Sequence, residues 1–171
     1  MKQPISIEIV TKDDIHAVIN KNSGVAVLLY TTDESDLLDK IGVVTEKNPH
    51  FDSGTYTGII MGTVEKDDSS LLIRAKQEAT EESGYTIPEN DKWHFLGEIH
   101  TSKLFTGSIY CYAANITGLT PEKPSGDGSK SEKDIQFKLI DINQIQKIPD
   151  SVLQACFLKL FTKLYKYKIN S

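Results

Sequence analysis

Alternation of apolar and polar positions, together with β-branched apolar runs, predicts four strands in the first 65 residues. Ile5–Val10 alternates with the period of a strand, and Gly24–Tyr30 and Lys40–Glu46 are β-branched apolar runs separated by a polar, acidic stretch. Thr55–Glu65 is a similar run, which contains Gly62 and leads into a charged loop. The first part of the chain is therefore predicted to be rich in β-strands.

Helical patterns occur at three places along the chain. Thr11, with Asp14 three residues later, resembles a capping box, which predicts an N-terminal strand and a short helix within residues 1–22. A second helix is predicted over roughly Ser69–Ser83, because a glycine follows it where a C-cap belongs. A third is predicted over residues 149–168, where one helical stripe carries Val152, Cys156, Leu160 and Leu164.

The segments between the second and third helices predict a hairpin, a loop and a final strand. Lys92–Ser102 and Gly107–Ile116 are rich in aromatic and β-branched residues, and a hairpin is their simplest pairing. Gly118–Glu132 collects prolines, glycines and serines, which predicts a mobile surface loop. Asp134–Asp141 alternates again. The last helix is then expected to close the sheet.

Composition and charge limit the class of protein. A chain of 171 residues, with 39% hydrophobic and 25% charged residues, suits a single domain over residues 1–171. The net charge of −5 is mild and no long basic stripe is present, which argues against duplex nucleic acid as a partner. No run approaches the roughly 20 apolar residues of a membrane span, and the N-terminus lacks the apolar core of a signal peptide. We expect a soluble, cytoplasmic protein with no membrane partner.

Cysteines, histidines and aromatic residues give little functional signal. Cys111 and Cys156 lie in apolar patterns, so buried thiols are expected rather than a disulfide or a metal site. The four histidines have no metal-binding spacing. Tyr56, Trp93 and Phe105 could stack on a base, although aromatic residues in strand-like runs more often belong to the core.

The second predicted helix carries three glutamates, Glu78, Glu81 and Glu82. At about 100° per residue they share one face, while Ala75 and Ala79 lie on a side fit to pack against a sheet. Three carboxylates suit a hard cation such as Mg²⁺, which takes oxygen ligands and is usually shared with substrate phosphates. A solvated acidic face is the alternative, because like-charge pairs four residues apart cost only about 0.2–0.5 kcal/mol.

The stretch from Gly62 to Tyr85 resembles a Nudix box, the family pattern G-x5-E-x7-R-E-U-x-E-E-x-G-U, in which U is a bulky apolar residue. The chain reads Gly62-x5-Asp68-x8-Gln77-Glu78-Ala79-Thr80-Glu81-Glu82-Ser83-Gly84-Tyr85. The order of strands, loop and terminal helix over about Gly24 to Tyr167 is also similar to the family's. The resemblance implies an α/β fold, a Nudix-like α/β/α sandwich around a mixed β-sheet.

This resemblance implies a role for each matching residue. Glu78, Glu81 and Glu82 would bind Mg²⁺ or Mn²⁺, and the carbonyl of Gly62 or Met61 would be a further ligand. Glu78 and Glu81 would belong to the catalytic residues as well. The absence of a side chain at Gly62 would let a metal or a phosphate approach the chain closely.

A general base is implied for the late loop, since some members of the family supply a carboxylate from that region. Glu132 is the first choice here, and Asp134 is the other candidate. For either residue, a solvated position at the end of the loop is the alternative.

Three departures from the family pattern affect this interpretation. Asp68 replaces a glutamate, the loop is one residue longer, and Gln77 stands where the family has an arginine that orients the first glutamate. We hypothesise that Arg74, the only arginine in the chain, supplies this contact as a catalytic-site residue, because it lies four residues before Glu78. A plain surface ion pair is the alternative.

The resemblance implies a metal-dependent pyrophosphohydrolase that cleaves a phosphoanhydride bond in a nucleoside diphosphate derivative or a nucleoside triphosphate. Its partner would be a small-molecule nucleotide, and a homodimer is possible because dimers are common in the family. The alternative is a catalytically weak or inactive nucleotide-binding or scaffold domain on the same fold. The glutamine at position 77 favours this alternative, and the three helix glutamates favour the enzyme.

Overall fold

The structure is a computed structural model, and it describes residues 7–12, 15–20, 23–65, 68–101, 107–124, 126 and 135–165. Over these ranges the strands and α-helices follow in the order β1 (Ile7–Lys12), β2 (Ile15–Asn20), β3 (Gly24–Thr32), β4 (Leu38–Lys47), β5 (Thr55–Gly58), β6 (Ile60–Thr63), α1 (Leu71–Ser83), β7 (Trp93–Ile99), β8 (Ile109–Asn115), β9 (Gln136–Asp141) and α2 (Ser151–Tyr165). Two 3₁₀ turns, Asn90–Lys92 and Ile142–Lys147, precede β7 and α2.

Strands β3 to β9 form one mixed sheet. Its hydrogen-bonded order is β5-β4-β3-β8-β7, while β6 pairs with β3 and β9 pairs with β4. Strands β3 and β8 are parallel, and the other pairs are antiparallel. The pairing of β3 with β4 covers only Tyr30–Thr32, and β6 and β5 pair with the rest of these strands. The chain that leads to α1 therefore lies at the centre of the sheet.

Strand β3 is buried on both faces. Val25, Val27 and Leu29 belong to the apolar cluster that includes α1, whereas Ala26, Leu28 and Tyr30 belong to the cluster that includes α2. All six are at most 2% exposed. A strand covered on both faces is expected to be an unbroken apolar run, as this one is in the sequence. The helices thus flank the sheet, and the predicted α/β architecture is confirmed.

Most of the predicted elements are confirmed, including the hairpin, which is β7 paired with β8. The second helix ends at Gly84, whose φ of 78° is the left-handed conformation that glycine adopts readily. The stripe of the last helix is buried at Val152, Cys156 and Leu160. Both cysteines are buried free thiols, as predicted. Neither described α-helix is long and apolar enough to cross a membrane.

The prediction of a short helix within residues 1–22 is wrong. β1 and β2 form an antiparallel two-stranded sheet in which Lys12 pairs with Ile15 and Ile7 with Asn20. The capping-box resemblance rested on two residues, whereas β-branched side chains recur throughout both runs and favour strands. A gap of two residues between such runs is also typical of a tight hairpin.

The single strand predicted over Thr55–Glu65 is divided at Ile59 into β5 and β6. The Ile59 amide donates a hydrogen bond of 2.9 Å to Asp150 Oδ2. The Oδ1 atom of the same carboxylate accepts from the amides of Val152, at 2.9 Å, and Leu153, at 3.2 Å, in the first turn of α2. Asp150 is 4% exposed, so one buried carboxylate joins the strand break to the start of the last helix.

The start of the glycine- and proline-rich loop is attached to the end of α1. Residues 118–124 and 126 form no regular element, as predicted. The Glu122 amide donates to the Gly84 carbonyl at 2.9 Å, and the Gly126 amide donates to the Glu81 carbonyl at 3.0 Å. These bonds use carbonyls that the end of a helix otherwise leaves without partners.

Replacing Asp150 with alanine should lower the free energy of unfolding by about 3 kcal/mol or more, since buried amides left without a partner cost about 1–3 kcal/mol each. Urea unfolding measures this change. Asp141→Ala is the matched control, because Asp141 is exposed and such substitutions usually stay within about 0.5 kcal/mol. Equal losses in the two variants would contradict the role of Asp150.

Candidate functional site

The candidate site is built on the run of chain that connects β6 to α1. Ser70 caps the helix, its hydroxyl accepting from the Ile73 amide at 3.1 Å. Asp68, which stands at the position of a family glutamate, accepts from the Glu65 amide at 2.7 Å. Strand, loop and helix therefore present the helix glutamates next to the end of β6.

Two of the three glutamates are buried. Glu78 is 4% exposed and Glu82 is 6% exposed, and both lie on the buried stripe of α1 with Ala75 and Ala79. A carboxylate is rarely buried to this extent unless it is paired or binds a metal. A solvated acidic face is therefore excluded for Glu78 and Glu82. The side of the helix that packs on the sheet also includes these two glutamates, and not only the alanines.

At Gly62, β6 lies directly against the Glu78 side chain of α1. A Cβ atom added to Gly62 would overlap the Oε1, Cδ and Cγ atoms of Glu78. The Glu78 carboxylate thus occupies the space that any other residue at position 62 would fill. The missing side chain leaves room for the helix glutamate, and the close approach of a metal or a phosphate at Gly62 stays a prediction.

Arg74 makes the contact that was expected of the family's arginine. Its Nη2 atom forms an ion pair with Glu78 Oε1, and the side chains of Arg74 and Glu78 are only 14% and 5% exposed. Gln77 is exposed. The alternative of a plain surface ion pair is wrong, because both partners are largely buried. The catalytic role of Arg74 stays a prediction.

Glu81 differs from the other two glutamates. It is half-buried, yet its Oε2 atom is inaccessible to solvent and has no hydrogen-bond partner among the described residues. The Arg74 Nε atom is in the same situation. A buried carboxylate oxygen without a partner costs free energy, which a bound cation or its water would offset.

The donor chemistry of α1 fits a hard divalent cation, but the described residues contain no group of three or more His, Cys, Asp or Glu side chains arranged around one point. Three carboxylates on one helix supply oxygen donors of the kind that Mg²⁺ and Mn²⁺ accept. The site thus has suitable donors near Gly62, and metal binding by Glu78, Glu81 and Glu82 stays a prediction.

Other predicted site residues are less well placed or lie outside the described ranges. The Gly62 carbonyl oxygen lies towards β3, 3.3 Å from the position that a Gly24 Cβ would take. Met61 is 38% exposed. The predicted general bases Glu132 and Asp134 lie outside the described residues. Their roles, and that of the Gly62 carbonyl as a ligand, stay predictions.

A pocket of about 420 Å³ lies at a second place, between β5, β9 and the turn before α2. Phe51, Tyr56, Lys138 and Lys147 are among its lining residues. Burial and the Asp150 carboxylate raise the pKa of the Tyr56 hydroxyl above its ordinary value. Of the residues that line this pocket, the sequence indicated only Tyr56 as a candidate for stacking on a base. The lining comes from three separate segments of the chain, which meet only in the folded protein.

Among the other aromatic residues considered for stacking, Trp93 is 8% exposed and donates from Nε1 to the Ile87 carbonyl at 3.0 Å. It belongs to the core, as the more common interpretation of such residues predicts. Phe105 lies outside the described residues.

Gly62→Ala should lower the free energy of unfolding by about 1–3 kcal/mol, the usual cost of overpacking, because its Cβ would displace the Glu78 carboxylate. In a Glu78→Ala background the same change should cost much less, and urea unfolding of the four proteins measures this coupling. The same cost in both backgrounds would show that Gly62 and Glu78 are not in contact.

No protein-family model matches the sequence, and no curated protein matches it by sequence. The structure is nevertheless similar to solved structures. It matches a crystal structure of an ADP compounds hydrolase with a TM-score of 0.62 and 14% identity, over 97% of this chain and 96% of the other.

A second similar structure is the NUDIX domain of Shewanella oneidensis NrtR, solved in a complex with ADP ribose. The TM-score is 0.55 and the identity is 14%, over 80% of this chain and 86% of the other. At such low identity, these likenesses concern the arrangement of the backbone alone. The mixed sheet flanked by α1 and α2 is therefore the α/β fold of Nudix domains.

Proposed function

We propose that the protein is a Nudix-type pyrophosphohydrolase, a metal-dependent hydrolase that cleaves a phosphoanhydride bond in a small nucleotide. The observation that carries this proposal is the burial of Glu78 and Glu82 on α1, with Glu78 held between Arg74 and the bare backbone of Gly62. Burying two carboxylates on one helix costs free energy. A site that uses their charge gives a reason for this cost.

The substrate class is a nucleoside diphosphate derivative or a nucleoside triphosphate. One structural neighbour is described as an ADP compounds hydrolase, and another was solved with ADP ribose. ADP and ADP ribose each contain a phosphoanhydride linkage, on which a Mg²⁺ held by the carboxylates of α1 would act. The proposal takes this class from the neighbours, and the carboxylate chemistry of α1 is compatible with it.

Glu78, Glu81 and Glu82 are the residues that would hold Mg²⁺ or Mn²⁺. Glu81 contributes a buried carboxylate oxygen that has no partner among the described residues. A divalent cation bound at such a site withdraws charge from phosphate oxygens and lowers the pKa of water. The three side chains come from one rigid helix, which would fix their relative positions before a substrate arrives.

Arg74 is a positioning residue in this proposal. Its guanidinium contacts Oε1 of the Glu78 carboxylate. A planar guanidinium restricts the orientation of a carboxylate in a way that a flexible ammonium does not. Arg74 thus does, from one turn earlier on the helix, what the arginine at the position of Gln77 would do in the family pattern.

Glu132 completes the proposal as the general base that accepts a proton from the attacking water, with Asp134 as the other candidate. Both are proposed from their position in the late loop of the sequence.

The second candidate function is a nucleotide-binding or scaffold domain with weak or no catalysis. It is favoured by one observation, that no group of three metal-ligating side chains surrounds one point among the described residues. Since one fold supports many functions, turnover must be measured.

Hydrolysis of a panel of nucleotides in Mg²⁺ or Mn²⁺ tests the proposal. ADP-ribose, NADH, dinucleoside polyphosphates and nucleoside triphosphates form the panel, and phosphate-containing products are measured. Glu82→Gln should lower turnover by about 100-fold or more, since even groups that only support a metal ligand are worth about 10–100-fold. Glu89→Gln, on a side chain that is 51% exposed, is the matched control.

Products formed by the wild-type protein at a rate that Glu82→Gln leaves unchanged would eliminate the proposed site. Binding of a nucleotide without any product would support the second candidate function.

Arg74→Lys should lower kcat and the affinity for Mn²⁺ by about 10-fold or more, because lysine keeps the charge but not the planar contact. Gln77→Ala should change neither, since Gln77 is exposed. Adding Gln77→Arg to the Arg74→Lys variant should restore part of the loss, which a purely structural role of Arg74 does not predict. Unchanged kcat and Mn²⁺ affinity in Arg74→Lys would refute the positioning role.

A further inference from the structure

The pocket between β5, β9 and the turn before α2 is separate from the glutamates of α1. Ile140 and Ile148, which line it, pack on the apolar cluster that includes α2, whereas α1 packs on the other cluster. The pocket therefore opens on the side of the sheet that carries α2. Its volume of about 420 Å³ is in the range of small-molecule sites, which is roughly 300–1,000 Å³.

The charged side chains that line this pocket are basic, although the chain as a whole is acidic. Two lysines, Lys138 and Lys147, line it, and none of its lining residues in the described part of the chain is acidic. The whole chain carries a net charge of −5. Neither lysine forms an ion pair with another described residue. Two ammonium groups at one concave surface favour an anionic ligand such as a phosphate.

Phe51 gives the pocket an exposed aromatic wall. Its side chain is 45% exposed, although the turn that carries it is well hydrogen-bonded. The Asn48 amide donates to the Gly54 carbonyl at 2.9 Å, the Phe51 amide to Asn48 at 3.2 Å, and the Gly54 amide to Phe51 at 2.8 Å. An apolar ring that an ordered turn holds in solvent is typical of a surface that contacts a ligand or a partner.

Tyr56 forms the second aromatic wall and is fixed from behind. Its ring centroid lies 5.2 Å from that of Phe51, at an interplanar angle of 41°. Its hydroxyl lies beside Asp150 Oδ2, since a Cβ added to Gly58 would meet both atoms, and Asp150 also binds the Ile59 amide and the first turn of α2. The tyrosine is therefore held in place before any ligand binds, which reduces the entropic cost of binding.

We infer that this pocket binds a nucleoside monophosphate unit, with the base against Phe51 and Tyr56 and the phosphate near Lys138 and Lys147. Aromatic rings stack on any nucleobase, and lysines bind phosphates as point charges. The inference rests on the proposed function only for the choice of a nucleotide as the flat, anionic ligand. The shape and charge of the pocket are independent of that proposal.

Calorimetric titration with AMP in the presence of EDTA tests the inference without any metal or turnover. Wild-type protein should bind AMP saturably and should bind adenosine and ribose 5-phosphate more weakly. Lys138→Met/Lys147→Met should weaken AMP binding by about 10-fold or more and leave adenosine binding unchanged, since the phosphate loses both cationic contacts and adenosine has no phosphate. Lys92→Met, at the β7 edge of the sheet, is the matched control.

Phe51→Ala should weaken AMP binding by about 10-fold, since the base loses a ring on which it stacks, and should leave ribose 5-phosphate binding unchanged. Phe161→Ala is its control, because Phe161 is 41% exposed on α2 and away from the pocket lining. Urea unfolding of each variant verifies that the protein remains folded. No saturable binding of AMP to the wild-type protein, or equal binding to the pocket variants and their controls, would overturn the inference.

The outcomes for the pocket and for the proposed function are distinguishable. AMP binding that Glu82→Gln leaves unchanged, in a protein without hydrolytic activity, would support the pocket and contradict the enzyme. Hydrolysis that depends on Glu82, in a protein whose AMP affinity is insensitive to Phe51 and the two lysines, would overturn the pocket and leave the enzyme in place.

Discussion

The contact between α1 and β6 at Gly62 is the constraint on which the candidate site depends. Because residue 62 has no side chain, the Glu78 carboxylate occupies the space beside the strand, and Arg74 pairs with it there. A larger residue at 62 would move the helix or its glutamate, and a helix displaced from the sheet would expose Ala75 and Ala79, which are now fully buried. The position of the carboxylates and the packing of the helix are thus set by the same contact.

Asp150 has a comparable structural role on the other side of the sheet. Its two oxygens bind the strand break at Ile59 and the first turn of α2, and the Tyr56 hydroxyl lies beside it. A Cβ at Gly58 would collide with both the carboxylate and the tyrosine. The interruption of the β5–β6 run therefore allows one side chain to fix the helix and one wall of the pocket. At both Gly58 and Gly62, the missing side chain allows a carboxylate to lie directly against the backbone.

Local patterns were sufficient to predict most of the fold, because β3, β4 and β8 are long apolar runs and α2 carries a regular apolar stripe. The prediction of a helix before residue 22 is wrong, because a capping resemblance of two residues is a weaker signal than the β-branched runs on either side of it. The Arg74 contact could be predicted because it is local, four residues along one helix. Two features could not be predicted: the burial of Glu78 and Glu82, and the existence of the pocket. Both depend on segments that are distant in sequence and meet only in the folded sheet.

The central claim is that Glu78, Glu81 and Glu82 hold a divalent metal at the surface of α1. The most direct measurement is a crystal structure of the protein grown with Mn²⁺, in which anomalous scattering locates the metal independently of any assay. The account predicts an anomalous peak within bonding distance of carboxylate oxygens of these glutamates, with Arg74 still in contact with Glu78. A fully occupied Mn²⁺ elsewhere, or no peak beside α1 at saturating Mn²⁺, would contradict it.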